Sequence, residues 1–259
     1  MPSRDKNLSI IKRWLKDALQ AVVFLTRIPV RLIKSNKNQQ LAEVVWAFPL
    51  VGVFVGGLAS LAMLIGFEIG LQPMVCGLIA VATQALITGA LHEDGLADVA
   101  DGFGGGNKVA NKLKIMRDSR IGTYGVLALI FSITFRAGLI AGMTSQAIAV
   151  LALMSAGAVS RAFVALAMNQ LDVVRPDGLS SQAGQPTVES TLVTLALGSA
   201  IAFLLLGAGG WVVLVLAFGV AVLIGLLAKR QIGGQTGDVL GTVQQLTEIA
   251  VLLGVVWVM

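Results

Sequence analysis

The chain has 259 residues, 56% of them hydrophobic and 13% charged, with a mean hydropathy of +0.85 and a net charge of +5. A soluble domain carries roughly 25% charged residues, and a core of this length cannot hide so much apolar sequence, so lipid must solvate much of it. The single cysteine, Cys76, excludes an internal disulfide and a cysteine-rich metal site, and no nucleic-acid-binding module is present, so no nucleic-acid partner is expected.

Residues 1–40 read as an N-terminal interfacial segment. Met1–Lys16 is polar and basic, so no cleavable signal is expected. Residues 8–27 form a helix whose apolar stripe (Ile11, Trp14, Leu15, Ala18, Val22, Leu25) suits the membrane surface or the side of a bundle. Seven apolar runs then approach the ~20 residues a bilayer requires: 44–69, 73–92, 122–142, 146–168, 188–208, 210–228 and 241–259. The last is the weakest, because Gln244, Gln245 and Glu248 interrupt it. The fold class is therefore all-α, a polytopic helix bundle forming one integral-membrane domain over 1–259.

The lysines and arginines test that count. Only Arg136 and Arg161 fall inside spans; the rest precede the first span or lie in alternate connections. By the positive-inside rule those connections face the cytoplasm, with the amino terminus inside and the carboxyl terminus outside. The long polar connections 93–121, 169–187 and 229–240 all fall on that side, so aqueous chemistry is expected on the cytoplasmic face of the inner membrane.

The connection after the second span opens His92-Glu93-Asp94-Gly95-Leu96-Ala97-Asp98-Val99-Ala100-Asp101-Gly102. On a helix, Asp94, Asp98 and Asp101 at i, i+4 and i+7 project from one face within about 60°. Like charges so placed repel, and near lipid they are costly to desolvate; a divalent cation relieves both penalties. Oxygen-only donors favour Mg²⁺ or Mn²⁺. Glu93 points off that face, where it supports the metal site or faces solvent, while His92 is a candidate to orient a substrate phosphate. Gly95 and Gly102 leave room for a phosphate or a second helix.

Further cations follow. Gly104-Gly105-Gly106, Lys108, and Arg117 and Arg120 flanking Asp118 suit a phosphorylated substrate held opposite a metal. Arg161, near the inner end of its span, is placed to reach an anionic substrate, and the deeper Arg136 suits a structural ion pair. Gly233-Gly234-Gln235-Thr236-Gly237-Asp238 is too polar for lipid and reads as a second substrate-facing loop, with Gly233, Gly234, Thr236 and Gly237 near substrate. Asp238 is a fourth metal carboxylate or a base.

Phe24-Leu25-Thr26-Arg27-Ile28-Pro29, Phe48-Pro49-Leu50-Val51-Gly52, Leu91 to Asp98, Met116 to Gly125 and Gly233 to Gly241 together resemble the cobalamin synthase family, also called adenosylcobinamide-GDP ribazoletransferase, over essentially the whole chain. The resemblance implies a Mg²⁺-dependent phosphotransfer joining adenosylcobinamide-GDP to α-ribazole or its 5′-phosphate, giving adenosylcobalamin or its phosphate and GMP. Asp94, Asp98 and Asp101 would bind Mg²⁺, Arg117, Arg120 and Arg161 the diphosphate. Asp238 would add a ligand or accept the proton of the attacking hydroxyl. The acidic motif is also similar, in part, to that of CDP-alcohol phosphotransferases. A transporter is the rival class, since intramembrane charges mark ion paths as well, but its site would lie near the midplane rather than at one face. Membrane lipid is an expected partner; a second copy of the chain and other enzymes of the pathway are left open.

Overall fold

The computed structural model describes residues 2–29 and 40–259, so residues 30–39 of the interfacial segment lie outside the described residues, as do the side chains before Lys12. The described chain is helical: α1 (Pro2–Leu25), a 3-10 turn (Leu41–Ala47), α2 (Phe48–Glu68), α3 (Pro73–Thr88), α4 (Leu91–Gly105), α5 (Val109–Ile115), α6 (Thr123–Ala141), α7 (Gln146–Gln170), α8 (Leu179–Ala183), α9 (Val188–Leu206), α10 (Gly210–Ile232) and α11 (Gly237–Val258). Five stretches are long and apolar enough to cross a membrane: Leu41–Glu68, α6, α7, Val188–Ile232 and α11. The bent pair α3–α4 would make a sixth.

Val188–Ile232 has 45 residues, about twice what a bilayer requires. It doubles back at Gly207, whose φ of 55° favours glycine. The residues just before α9 and just after α10 both meet the end of α7 and the segment that follows it: Asn169 Nδ2 donates to the Pro186 carbonyl, and Gln235 N–H donates to Asp172 O. The turn itself packs on Val258 at the far end of α11. This one stretch therefore supplies two of the expected spans.

Helix α7 is the centre of the bundle, packed on α2, α9 and α11. With lipid as solvent, helices gain little from burying oily side chains and associate where small residues let backbones meet. That is the case where Gly52 of α2 crosses Gly157 of α7: a Cβ on Gly52 would lie 2.0 Å from the Gly157 carbonyl oxygen. Gly56 meets Leu153 and Gly77 meets Ala137 in the same way. The C-terminal half of α1 packs beside the bundle through Ala21 and Leu25, while Trp14 and Leu15 stay exposed.

The expected span 73–92 is corrected. Helix α3 stops at Thr88 after 16 residues, and the chain turns by 94° into α4. Consecutive left-handed residues, Gly89 (φ 69°) and Ala90 (φ 57°), make the elbow. Alanine there costs roughly 1–2 kcal/mol, which the surrounding packing must offset. Arg27, in the segment after α1, covers the elbow: its N–H donates to Ile87 O at 2.7 Å and its side chain lies over Gly89. With four carboxylates along it, α4 is not itself a span but a polar helix at one end of the bundle.

Candidate active site

The three long polar connections meet at that end. Arg117 pairs with Asp177, Lys112 with Gln231, and Gly234 packs on the carbonyl of Asp172. Helix α11 starts directly against α4. A Cβ on Gly95 would sit 2.8 Å from Asp238 O, and one on Gly241 would sit 3.2 Å from His92 Cα. Thr242 Oγ1 donates to Gly95 O at 3.2 Å, completing the crossing. Glycine at 95 and 241 thus brings Asp238 beside the acidic face of α4.

The four aspartates have different surroundings. Asp94 is exposed and Asp98 half-buried, and neither has a hydrogen-bond partner among the described residues. Burial pushes Asp98 up to about 7, with Asp238, Asp94 and Asp101 adding to the rise and Arg175 opposing it. Asp238 accepts from Arg175 Nη1 at 3.1 Å and from Thr236 Oγ1 at 3.2 Å. Asp101 has a task that helical spacing did not predict. Its two oxygens accept from Gly122 N–H at 2.7 Å and Gly125 N–H at 2.9 Å, tying α4 to the start of α6. A Cβ on either glycine would fall within 2.5 Å of that carboxylate, which accounts for the glycines of that run.

Several expected site residues are placed elsewhere. Glu93 faces the bundle interior, where its Oε1 accepts from Arg136 Nη2 at 3.1 Å and Gln245 Nε2 at 3.2 Å. Arg136 also reaches Glu248 at 3.4 Å, the structural ion pair expected of it. Arg161 is buried and donates to Gly157 O of its own helix, within electrostatic reach of His92 as well as of Glu248 and Glu93. Arg136, Glu93 and Glu248 persist at this depth because they pair with one another. Gly233 (φ 92°) makes the turn after α10, and Gly234 lets Gln235 bridge to Val173, so both shape the loop. Thr236 caps α11 by accepting from Val239 N–H at 3.3 Å. Gly237 lines a cavity with His92, Asp94 and Asp238. Arg120 is held on Asp118 by paired hydrogen bonds, which keep the Asp118 carboxyl at about 2, and Lys108 is an exposed cation before α5.

Arg175 is the site residue the sequence reading missed. It is the single basic residue of the connection 169–187, where sequence alone ties it only to the charge topology. In the structure its Nη2 donates to Leu113 O at 2.7 Å while Nη1 holds Asp238, and with Lys114 and Arg117 it lines a cleft of about 400 Å³. Carboxylates and cations thus meet at Asp238.

Surplus negative charge around Asp98 fits a divalent cation. Among the described residues no three of His, Cys, Asp and Glu form a ready-made metal site. Mg²⁺ does not need one, since it commonly takes one or two carboxylates and fills its remaining positions with water and substrate phosphates.

The profile of the family described as cobalamin-5-phosphate synthase matches residues 17–256. A protein of Bradyrhizobium diazoefficiens named adenosylcobinamide-GDP ribazoletransferase is 45% identical over 94% of each chain. Proteins of the same name from Azorhizobium caulinodans (44% identical, 94% of this chain and 96% of the other) and Mesorhizobium japonicum (41%, 95% of each) are also similar. No solved structure matches the chain.

Proposed function

The chain belongs to the cobalamin-5-phosphate synthase family, and on that premise we propose that it joins adenosylcobinamide-GDP to α-ribazole or its 5′-phosphate, releasing GMP. The observation that carries this is the meeting of Asp94, Asp98 and Asp238 with Arg175 at one end of a membrane bundle. A hydroxyl oxygen of the ribazole ribose attacks the phosphorus bonded to the corrinoid. The bond from that phosphorus to the GMP oxygen breaks, GMP leaves with the electron pair, and the hydroxyl proton is taken up.

In this reading Asp238 receives that proton, a role worth about 10²–10⁴-fold. Its bond to Arg175 keeps the carboxylate aimed across α4. Arg175, Arg117 and Lys114 line the cleft and neutralise the diphosphate oxygens. Asp94 and Asp98 would hold Mg²⁺, which supplies Lewis-acid neutralisation of the charge developing on the leaving group. Asp101 and Glu93 act through structure, one fixing α4 to α6 and the other anchoring it to the interior. The distribution of basic residues supports a cytoplasmic orientation of this end in the inner membrane.

The test is GMP release by the purified protein in liposomes. Release that requires both adenosylcobinamide-GDP and α-ribazole is expected; no release from folded protein with both substrates present would exclude the proposal.

A further inference from the structure

Beside the carboxylates lies a second space, a cavity of about 110 Å³ enclosed by the end of α1, the 3-10 turn and the starts of α2, α4 and α11, with α7 and α8. Its walls are apolar, Phe24, Leu41, Phe48, Val164 and Met168 among them, and its polar residues include His92, Asp94 and Asp238. One wall residue breaks the pattern. Ser180 lines the cavity at 3% exposure, and its hydroxyl has no hydrogen-bond partner among the described residues. Buried hydroxyls are normally satisfied, so this one points to a missing partner.

We infer that the cavity binds the base of the acceptor nucleoside, an uncharged bicyclic aromatic ring, with the Ser180 hydroxyl donating to its free ring nitrogen; the inference rests on the transferase reading above. Mostly apolar walls suit a flat hydrophobic ring, and with Asp94 and Asp238 turned to the metal and the proton, the unpartnered Ser180 hydroxyl is the group left to meet its one acceptor. The corrin macrocycle is far too large for the space. Placing the base here also puts the ribose at the rim. Asp238 belongs to both spaces, lining the cavity and bonding Arg175 of the cation-lined cleft. An acceptor hydroxyl would then approach from one side of Asp238 and the diphosphate from the other.

Binding of α-ribazole to the full chain in nanodiscs, followed by the fluorescence of its base, tests this without turnover. Ser180→Ala, which removes one hydrogen bond and no bulk, is expected to weaken binding about five-fold. Ala183→Phe, which fills the cavity from α8, is expected to weaken it at least ~10-fold. Adenosylcobinamide-GDP should bind both variants as it binds the wild type. Unchanged α-ribazole affinity in Ser180→Ala, or equal loss of both substrates, would overturn the inference. That variant decides the matter alone if melting shows Ala183→Phe to be unfolded. GMP release is scored separately: its absence with this binding pattern intact would overturn the reaction and leave the base subsite standing.

Discussion

Replacing Gly95 with alanine should separate the two halves of the proposed site. The new Cβ would stand 2.8 Å from the Asp238 carbonyl oxygen and 2.9 Å from its Cα, where ordinary contact begins at 3.4 Å. Both neighbours are backbone, so no side chain can swing aside, and α11 must move off α4 by roughly 0.5 Å. Overpacking of this kind costs about 1–3 kcal/mol. A displacement of ~1 Å between reacting groups can cost ~100-fold in rate, so half of that predicts about a ten-fold loss. Gly57 and Gly138 are the controls. A Cβ there meets nothing within 4 Å, and alanine in a helix gains about 1 kcal/mol over glycine. GMP release in liposomes, with melting followed in parallel, reads all three variants. Gly95→Ala turning over within two-fold of wild type would refute the claim that this crossing aligns Asp238 with the acidic face.

Other substitutions separate structural from chemical roles. Asp101→Ala should lower the melting temperature, losing two charge-assisted hydrogen bonds worth about 1.5–3 kcal/mol each, while the Mg²⁺ requirement of the folded fraction stays unchanged. Raised Mg²⁺ demand with unaltered melting would return Asp101 to the metal. Arg136→Met should destabilise by about 3–5 kcal/mol, since Glu93 and Glu248 lose their shared cation. Wild-type melting of that variant would show that the buried pair does not anchor α4. Arg175→Lys keeps the charge but loses the fork that spans Asp238 and Leu113 O; turnover should drop about ten-fold with little change in melting, and full activity would remove Arg175 from the site.

How much of this could be read beforehand depended on whether periodicity or fold carried the information. Apolar runs located α2, α6, α7, α9, α10 and α11, because lipid imposes a length on every crossing. The elbow after Thr88 escaped, since left-handed geometry at Ala90 leaves no compositional trace and hydropathy runs on smoothly to Leu91. Spacing rightly set Glu93 off the face of Asp94 and Asp98. It could not show that Asp101, on the same face, would meet the amides of Gly122 and Gly125 before any ion. Nearness to a helix end did not show that Arg161 would be buried, donating to Gly157 O of its own helix. Arg175 was missed because a lone arginine in a loop says nothing until α11 places Asp238 against it.

The central claim is that Asp94 and Asp98, opposed by Asp238 and Arg175, hold a metal-assisted phosphotransfer at the end of the bundle. Titrating Mg²⁺ against GMP release in liposomes for wild type and Asp98→Asn tests it most directly. The account predicts no release without Mg²⁺ and, for Asp98→Asn, a rise of at least ~10-fold in the Mg²⁺ needed for half-maximal rate, with unchanged melting. Full activity of Asp98→Asn at limiting Mg²⁺ would contradict it.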